Sequence, residues 1–332
     1  MQKFLVTYKL PERPSSDTIR ELWASIPEST DWRKCRAFGA DLPWRLLHIM
    51  DRPSLVSNLH KDRLLFIPLM GIEQISRAFP YIRMQSLVKS IYVFDAWEPN
   101  FDRVEQLIVG YHINVAFFSA RQSAEHVARV LPEVASFWVP EGVRANEYSA
   151  LPDSDRDIDV LQVGRKFDWY HDRIVEYCRK AGLRYLYEET KGSLVFPTRR
   201  DFLRGLSRAR ISVCVPSAIT HPERSGSVST MTTRYLQSMI AKCLVVGCIP
   251  EDMKELFDYS PVVEIDRNDP VGQLDALLKS YDNYRPLIER NYREVLEKHD
   301  WKHRMIEVDR VLSRWQERWI TGQYYPQSSS SI

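Results

Sequence analysis

Between Ser90 and Val139 the chain reads SIYVFDAWEPNFDRVEQLIVGYHINVAFFSARQSAEHVARVLPEVASFWV. Three short runs rich in Phe, Val and Ile stand out: Ile91 to Phe94, Val115 to Phe118 and Phe137 to Val139. Each is bounded by polar or turn residues, as strands are. Between them lie two stretches with helical spacing, Phe101 to Gly110 and Arg121 to Leu131. This β-α-β-α-β rhythm predicts parallel strands joined by right-handed crossovers. Upstream, Phe4 to Tyr8 and Leu64 to Leu69 read as two further strands. Residues 11 to 60 carry Pro11, Pro14, Pro27, Pro43 and Pro53 and show no legible period, so no element is assigned there.

A second rhythm follows. Strand Asp159 to Val163, helix Tyr170 to Ala181, strand Arg184 to Tyr187, helix Asp201 to Arg208, strand Ile211 to Val215, helix Thr233 to Ala241, and strands Leu244 to Val246 and Val262 to Ile265 succeed one another. Asp269 with Pro270 opens a helix, and Leu274, Leu277, Leu278 and Tyr281 recur on one face of it. Asp300 is placed to cap a last helix with the stripe Met305, Val308, Val311, Leu312 and Trp315. The expected division is an N-terminal Rossmann-like, acceptor-side domain over 1–143, a polar linker over 144–157, and a C-terminal Rossmann-like donor domain over 158–298. A helix over 299–325 is expected to pack back toward the first domain, ahead of a disordered tail over 326–332.

Composition narrows the function. The chain has 332 residues, 44% hydrophobic and 27% charged, which suits two globular cores rather than a disordered segment. Lys plus Arg (46) nearly balances Asp plus Glu (44), so the global charge demands no nucleic acid or membrane. The longest apolar runs, such as Cys243 to Cys248, fall far short of the roughly 20 residues of a membrane span. No secretion signal is read at the N-terminus, so a cytoplasmic location is expected. Cys35, Cys178, Cys214, Cys243 and Cys248 are odd in number and match no zinc spacing; they read as reduced core thiols, with no metal site. The eight histidines, His48, His60, His112, His126, His171, His221, His299 and His303, read as exposed.

In open α/β sheets ligands bind beyond the carboxyl ends of the strands. Three loops there carry usable chemistry. After the first strand of the second half come Gly164, Arg165 and Lys166, a tight turn with two cations that could neutralise a pyrophosphate or simply be solvated. Gly226, Ser227, Val228, Ser229, Thr230, Met231, Thr232 and Thr233 lead into the helix bearing Arg234 and Gln237. Small hydroxyl residues at a helix N-terminus suit a phosphate, and serve equally well as plain caps. In the first half, Asp95, Trp97 and Glu98 follow the strand ending at Phe94. Two carboxylates and an indole could receive a sugar, or could be a capping Asp, a core Trp and a solvated Glu.

The segment from Thr232 through Arg234, Tyr235, Gln237, Met239 and Ala241 to Gly247 resembles the R-[YF]-x-E-x-[ML]-A-x-G signature of group 1 glycosyltransferases of the GT-B fold, especially the CgeB-like branch. Trp138 to Val143 resembles the stretch that leads into that family's interdomain linker, and Asp157 to Arg165 resembles its first donor-domain strand and basic turn. The resemblance covers most of residues 90 to 266.

It implies an α/β GT-B architecture, two Rossmann-like doubly wound parallel-sheet domains facing a cleft, with a nucleotide-diphosphate sugar such as a UDP-sugar held mainly by the C-terminal one. It implies no metal or other cofactor, and retention of anomeric configuration. On this basis Arg165 and Lys166 face the phosphates, and Gln237 stands where a glutamate binds the ribose hydroxyls. In the Glu-x7-Glu form of the motif, Ser229 and Gln237 occupy both glutamate positions, so neither supplies negative charge. Ile240 and Lys242 replace its alanine and glycine.

The expected function is transfer of a sugar to a hydroxyl acceptor in a glycan, lipid-linked or natural-product molecule, with Asp95 or Glu98 contacting or deprotonating that hydroxyl. The alternative is a silent GT-B protein serving as a binding subunit for another transferase. Arg33, Lys34 and Arg36 near Trp32 offer a peripheral membrane contact or a solvated basic face.

Overall fold

The computed structural model describes residues 2–11, 16–39, 60–84, 86–164, 166–190 and 192–320. Arg165, His48 and the tail 326–332 lie outside the described residues. The chain divides into two compact units: one runs to Pro140 and includes the helix Trp301–Ile320, and the other spans Glu141–Asp300.

In the first unit, β1 (Gln2–Thr7), β2 (Arg33–Arg36), β3 (His60–Leu69), β4 (Ser86–Val93), β5 (Val115–Phe118) and β6 (Ala135–Trp138) form a parallel sheet in the order β2-β1-β3-β4-β5-β6. From β1 the chain passes through α1 (Asp17–Ser29) to the edge strand β2, then returns across β1 to β3. The strand order therefore reverses between β1 and β3. All four residues of β5 are buried, as a central strand covered on both faces requires. Crossover helices α2 (Phe101–Gly110) and α3 (Arg121–Val130) flank it, and α2 turns Val104, Leu107 and Ile108 inward at i, i+3 and i+4. Phe66 meets Phe117 edge-on at 6.0 Å between centroids, and burying a side chain of this size contributes about 1.5–3 kcal/mol. The helix Trp301–Ile320 buries Met305, Val308, Leu312 and Trp315 and leaves Val311 half-buried. Its Trp301 lies 6.0 Å from both Tyr92 and Phe94, while Asp309 accepts hydrogen bonds from Lys3 (2.8 Å) and the Trp32 indole (2.5 Å).

In the second unit, β7 (Ile158–Leu161), β8 (Tyr185–Leu186), β9 (Ala209–Cys214), β10 (Leu244–Gly247) and β11 (Val263–Glu264) form a parallel sheet in the order β11-β10-β9-β7-β8. The order reverses between β7 and β9. Helices α4 (Asp168–Lys180), α5 (Arg199–Ser207), α6 (Thr233–Ile240), α7 (Pro270–Lys279) and α8 (Arg285–Lys298) follow in sequence. Gly247 pairs with Cys214, and a Cβ there would lie 1.7 Å from the Cys214 carbonyl oxygen, so only glycine lets the strands approach. Asp269 caps α7 by accepting the Gly272 amide at 2.8 Å.

Residues 144–157 fold within this unit, with short 3₁₀ turns at Ala145–Glu147 and Asp153–Asp155. The buried Arg156 guanidinium donates to the carbonyls of Leu151, Ala209 and Ala241. Val143 forms a parallel bridge with Asp300, whose Oδ2 accepts the Ala145 amide at 3.0 Å.

Of the histidines expected to be exposed, His112 is, His126, His221 and His303 are half-buried, and two lie in the core. His171 and His299 are buried, the latter stacked on Phe257 at 4.8 Å between centroids. A ring with one polar edge satisfied behaves as a core aromatic, which composition alone does not reveal. His299 closes α8 and His303 lies on the next helix, so the pair is not one helical face. Cys178, Cys214 and Cys243 are buried free thiols, whereas Cys35 and Cys248 are half-buried.

Candidate functional site

The carboxyl ends of β7 and β9 neighbour one another where the strand order of the second unit reverses, since Leu161 pairs with Ser212. Such reversals are where open α/β sheets form ligand crevices. Beyond β7, Gly164 has φ +90°, a left-handed value that favours glycine, and a Cβ placed there meets nothing within 4 Å. The turn is tight and its outer side is open. Lys166 sits with its ammonium 5.7 Å from the Tyr187 ring centroid and 3.8 Å from Asp168, an ion pair worth little at this exposure.

Under this turn runs a connected polar network. The Tyr185 hydroxyl donates to Gln162 Oε1 at 2.8 Å, and His171 Nδ1 lies 3.1 Å from the same hydroxyl. With its proton donated to Gln162, the tyrosine hydroxyl can accept from the Nδ1–H tautomer of His171. Burial and the neighbouring Lys166 charge both lower the His171 pKa, so the ring is neutral near pH 7. Rings of His171 and Tyr187 lie 4.4 Å apart, and those of Tyr185 and Tyr187 4.7 Å apart. The strand end thus presents an aromatic wall beside a cation.

Beyond β9, two short helical turns (Ser217–Thr220 and Pro222–Ser225) precede Gly226, with φ +59°, and the loop to α6. Ser227 is exposed; Ser229 is half-buried and its hydroxyl oxygen accepts the Glu251 amide at 3.3 Å. The loop is held by two carboxylates from elsewhere. Asp252 accepts the Thr230 hydroxyl at 2.6 Å and the Met231 amide at 2.7 Å. Glu141 accepts the Thr233 amide at 2.7 Å through Oε2, which also receives the Thr233 hydroxyl. Thr232 is extended and makes no side-chain cap, so Glu141 acts as the acceptor at the start of α6. A carboxylate thus occupies part of the positive helix end that the sequence offers to phosphate.

Gln237 is buried, and its amide donates to the Tyr148 hydroxyl at 2.9 Å. Glu147, next to that tyrosine, bonds both Arg144 and Arg199, which hold its carboxyl below the usual range although burial works the other way. Arg234 places its guanidinium 4.6 Å from the Phe202 ring centroid.

In the first unit, Asp95 follows β4 with φ +49°, a left-handed residue that Asp tolerates better than most. It is half-buried, and Glu98 is exposed at the start of a 3₁₀ turn. Trp97, however, is only 4% exposed and belongs to the core, so its face is not offered for stacking. Ser123 pins this turn by donating to the Ala96 carbonyl at 2.6 Å.

Sequence reading missed Glu141, Asp252 and His171. The first two sit just past the carboxyl ends of β6 and β10, a position that could have marked them, but their partners lie 92 and 21–22 residues away. Among the described residues no group of three His, Cys, Asp or Glu side chains is placed to hold a metal ion, and no helix is long and apolar enough to cross a membrane.

No protein-family model matches the sequence, and no curated protein is similar to it in sequence. Solved structures do match. HepE of Anabaena in complex with UDP-glucose superposes with a TM-score of 0.59 at 10% identity, over 95% of this chain and 100% of that one. HepE with UDP and glucose gives 0.57 at 8% identity over the same shares. Sucrose-phosphate synthase from Thermosynechococcus elongatus gives 0.57 at 10% identity, over 95% of this chain and 99% of that one. The chain therefore has the two-domain parallel α/β fold of GT-B glycosyltransferases along nearly its whole length.

Proposed function

We propose that this chain is a glycosyltransferase that moves a sugar from a nucleotide-diphosphate sugar to an acceptor hydroxyl, with UDP-glucose the first donor to test. The observation that carries this reading is the open Gly164 turn, with Lys166 and an aromatic wall behind it, at the point where the strand order reverses. The fold shared with HepE, a protein solved with UDP-glucose, supports it. In this reading Lys166 and Arg165 neutralise the diphosphate, Tyr187 lies along the nucleotide, and Gln237 and Ser229 offer uncharged hydrogen bonds to donor hydroxyls. The acceptor oxygen bonds to the anomeric carbon as the bond from that carbon to the diphosphate oxygen breaks, and the nucleoside diphosphate departs with the electron pair. Asp95 or Glu98 takes the acceptor proton. Transfer with retention and without a metal, and a place beside the CgeB-like branch, follow from the Thr232–Gly247 segment and belong to the same proposal.

The test is thermal unfolding against UDP-, GDP-, dTDP- and ADP-sugars. A donor at roughly 100 times its Kd adds about 2.7 kcal/mol. A selective shift that disappears in Lys166→Ala supports the site, and no shift with any donor overturns the reading.

A further inference from the structure

The first unit contains a pocket that the transferase reading does not use. It is an open groove of about 330 Å³ at the carboxyl ends of β1 and β2, lined among the described residues by Thr7, Tyr8, Lys9, Arg20, Trp23, Ala24, Lys34 and Arg36. That volume falls in the range of small-molecule sites, roughly 300–1,000 Å³.

The sequence builds it from two periodicities and one ring contact. Lys34 and Arg36 are two apart on β2 and so share a face, beside Leu5 and Thr7 of β1. Arg20, Trp23 and Ala24 are i, i+3 and i+4 on α1, one helical face. Tyr8 meets Trp23 edge-on at 5.1 Å and forms an apolar floor, its hydroxyl committed to the Pro68 carbonyl at 2.8 Å. Arg20 is steadied by Asp17 at 3.2 Å and by the Pro11 carbonyl at 3.0 Å.

Among the described residues that line it, four of eight are cationic and none is acidic. Low-dielectric walls lined by one sign of charge focus the field on whatever enters. Basic residues on an edge strand have another use, since they block edge-to-edge pairing. That use does not explain the pocket, nor the indole of Trp23. Trp23 is 91% buried (9% exposed), and its Nε1–H has no acceptor among the described residues. That nitrogen is closed to solvent, so the indole contributes apolar surface to the floor rather than a donor.

We propose that this pocket binds a phosphate ester, its oxyanion held by Lys9, Arg20, Lys34 and Arg36 and the body of the molecule on the Tyr8–Trp23 floor. The ester is a sugar phosphate or a lipid headgroup, which present the same group. The site stands whether or not the second unit binds a nucleotide sugar.

The experiment uses the full chain. Calorimetric titration compares glucose 6-phosphate with glucose, and sedimentation compares phosphatidylcholine vesicles with and without phosphatidic acid. Binding of glucose 6-phosphate assigns a sugar phosphate, and binding to phosphatidic acid vesicles alone assigns a lipid headgroup. Either binding should weaken about tenfold or more in Arg36→Gln or Lys34→Gln, the loss of one charge-assisted hydrogen bond. Both β2 side chains are exposed, so those two variants keep the fold. Absence of both bindings, or binding unaffected by the β2 variants, overturns the proposal. UDP-sugar shifts measured on the same variants should be unchanged, which separates failure here from failure of the donor site.

Discussion

Replacing Glu141 tests how the loop before α6 is held and where a diphosphate can sit. The carboxylate is buried and takes both the amide and the hydroxyl of Thr233. Hydrogen bonds to a charged group contribute about 1.5–3 kcal/mol each, and the favourable placement of an anion at a helix start adds about 0.3–1 kcal/mol. Water entering the space left by Glu141→Ala recovers part of this, so a loss of about 3 kcal/mol is expected. For a unit of this size each kcal/mol moves the midpoint by roughly 2–4 °C, which gives a fall of about 6–12 °C. Glu141→Gln retains an acceptor and should lose about half as much. Calorimetry is the assay, because it resolves the transition of the second unit. A midpoint for Glu141→Ala within about 2 °C of the parent refutes the argument that this carboxylate secures α6. The same variants locate the phosphate. If a diphosphate uses the start of α6, Glu141→Gln removes a competing anion and UDP should bind more tightly; an unchanged UDP affinity assigns the diphosphate to the Gly164–Lys166 turn.

Three further outcomes are expected. Gly247→Ala forces a Cβ to 1.7 Å from the Cys214 carbonyl, and should cost at least about 3 kcal/mol, seen as a lowered midpoint or loss of soluble protein. His171 has a folded pKa below its ordinary 6.5, so the unfolded chain takes up its proton first as pH falls. Stability is therefore full above about pH 6.5 and declines below it, and unfolding followed by fluorescence should lose part of that slope in His171→Asn. Burial pushes the Cys35 thiol up to about 11, so maleimide should label it slowly at neutral pH and rapidly in urea, by mass spectrometry.

The sheet cores were legible because central strands such as Val115–Phe118 are continuous apolar runs and the helices between them keep a 3.6-residue period. The helix Phe101–Gly110 and the strand Val115–Phe118 coincide with their expected bounds, whereas β8 contracts to Tyr185–Leu186 because its position at the sheet edge leaves it one partner. The region after Tyr8 resisted reading for two reasons. The strand Arg33–Arg36 is an edge strand made almost wholly of cations, so it has no hydrophobic signature. The helix Asp17–Ser29 contains Pro27, whose missing N–H normally ends a helix, and it buries Asp17, Glu21 and Ser25, which mask its apolar stripe. Of the site, the strand-end loops follow from topology. The partners of Thr233, Thr230 and Gln237 do not, since they are contacts across long stretches of chain.

The pairing of Val143 with Asp300 has a consequence for how this chain can be cut and rejoined. The backbone enters the second unit at Glu141 and leaves it at Asp300, and these two crossings lie side by side. On the other bank, Val139 accepts the Tyr92 hydroxyl and Trp301 packs on the same tyrosine, so the gap left by removing residues 141–300 is also short. The second unit is thus a cassette inserted within the first. A fragment over 141–300 has adjacent ends that a brief Gly-Ser tether could close into a circular permutant, and the remaining segments could be rejoined with only a few residues.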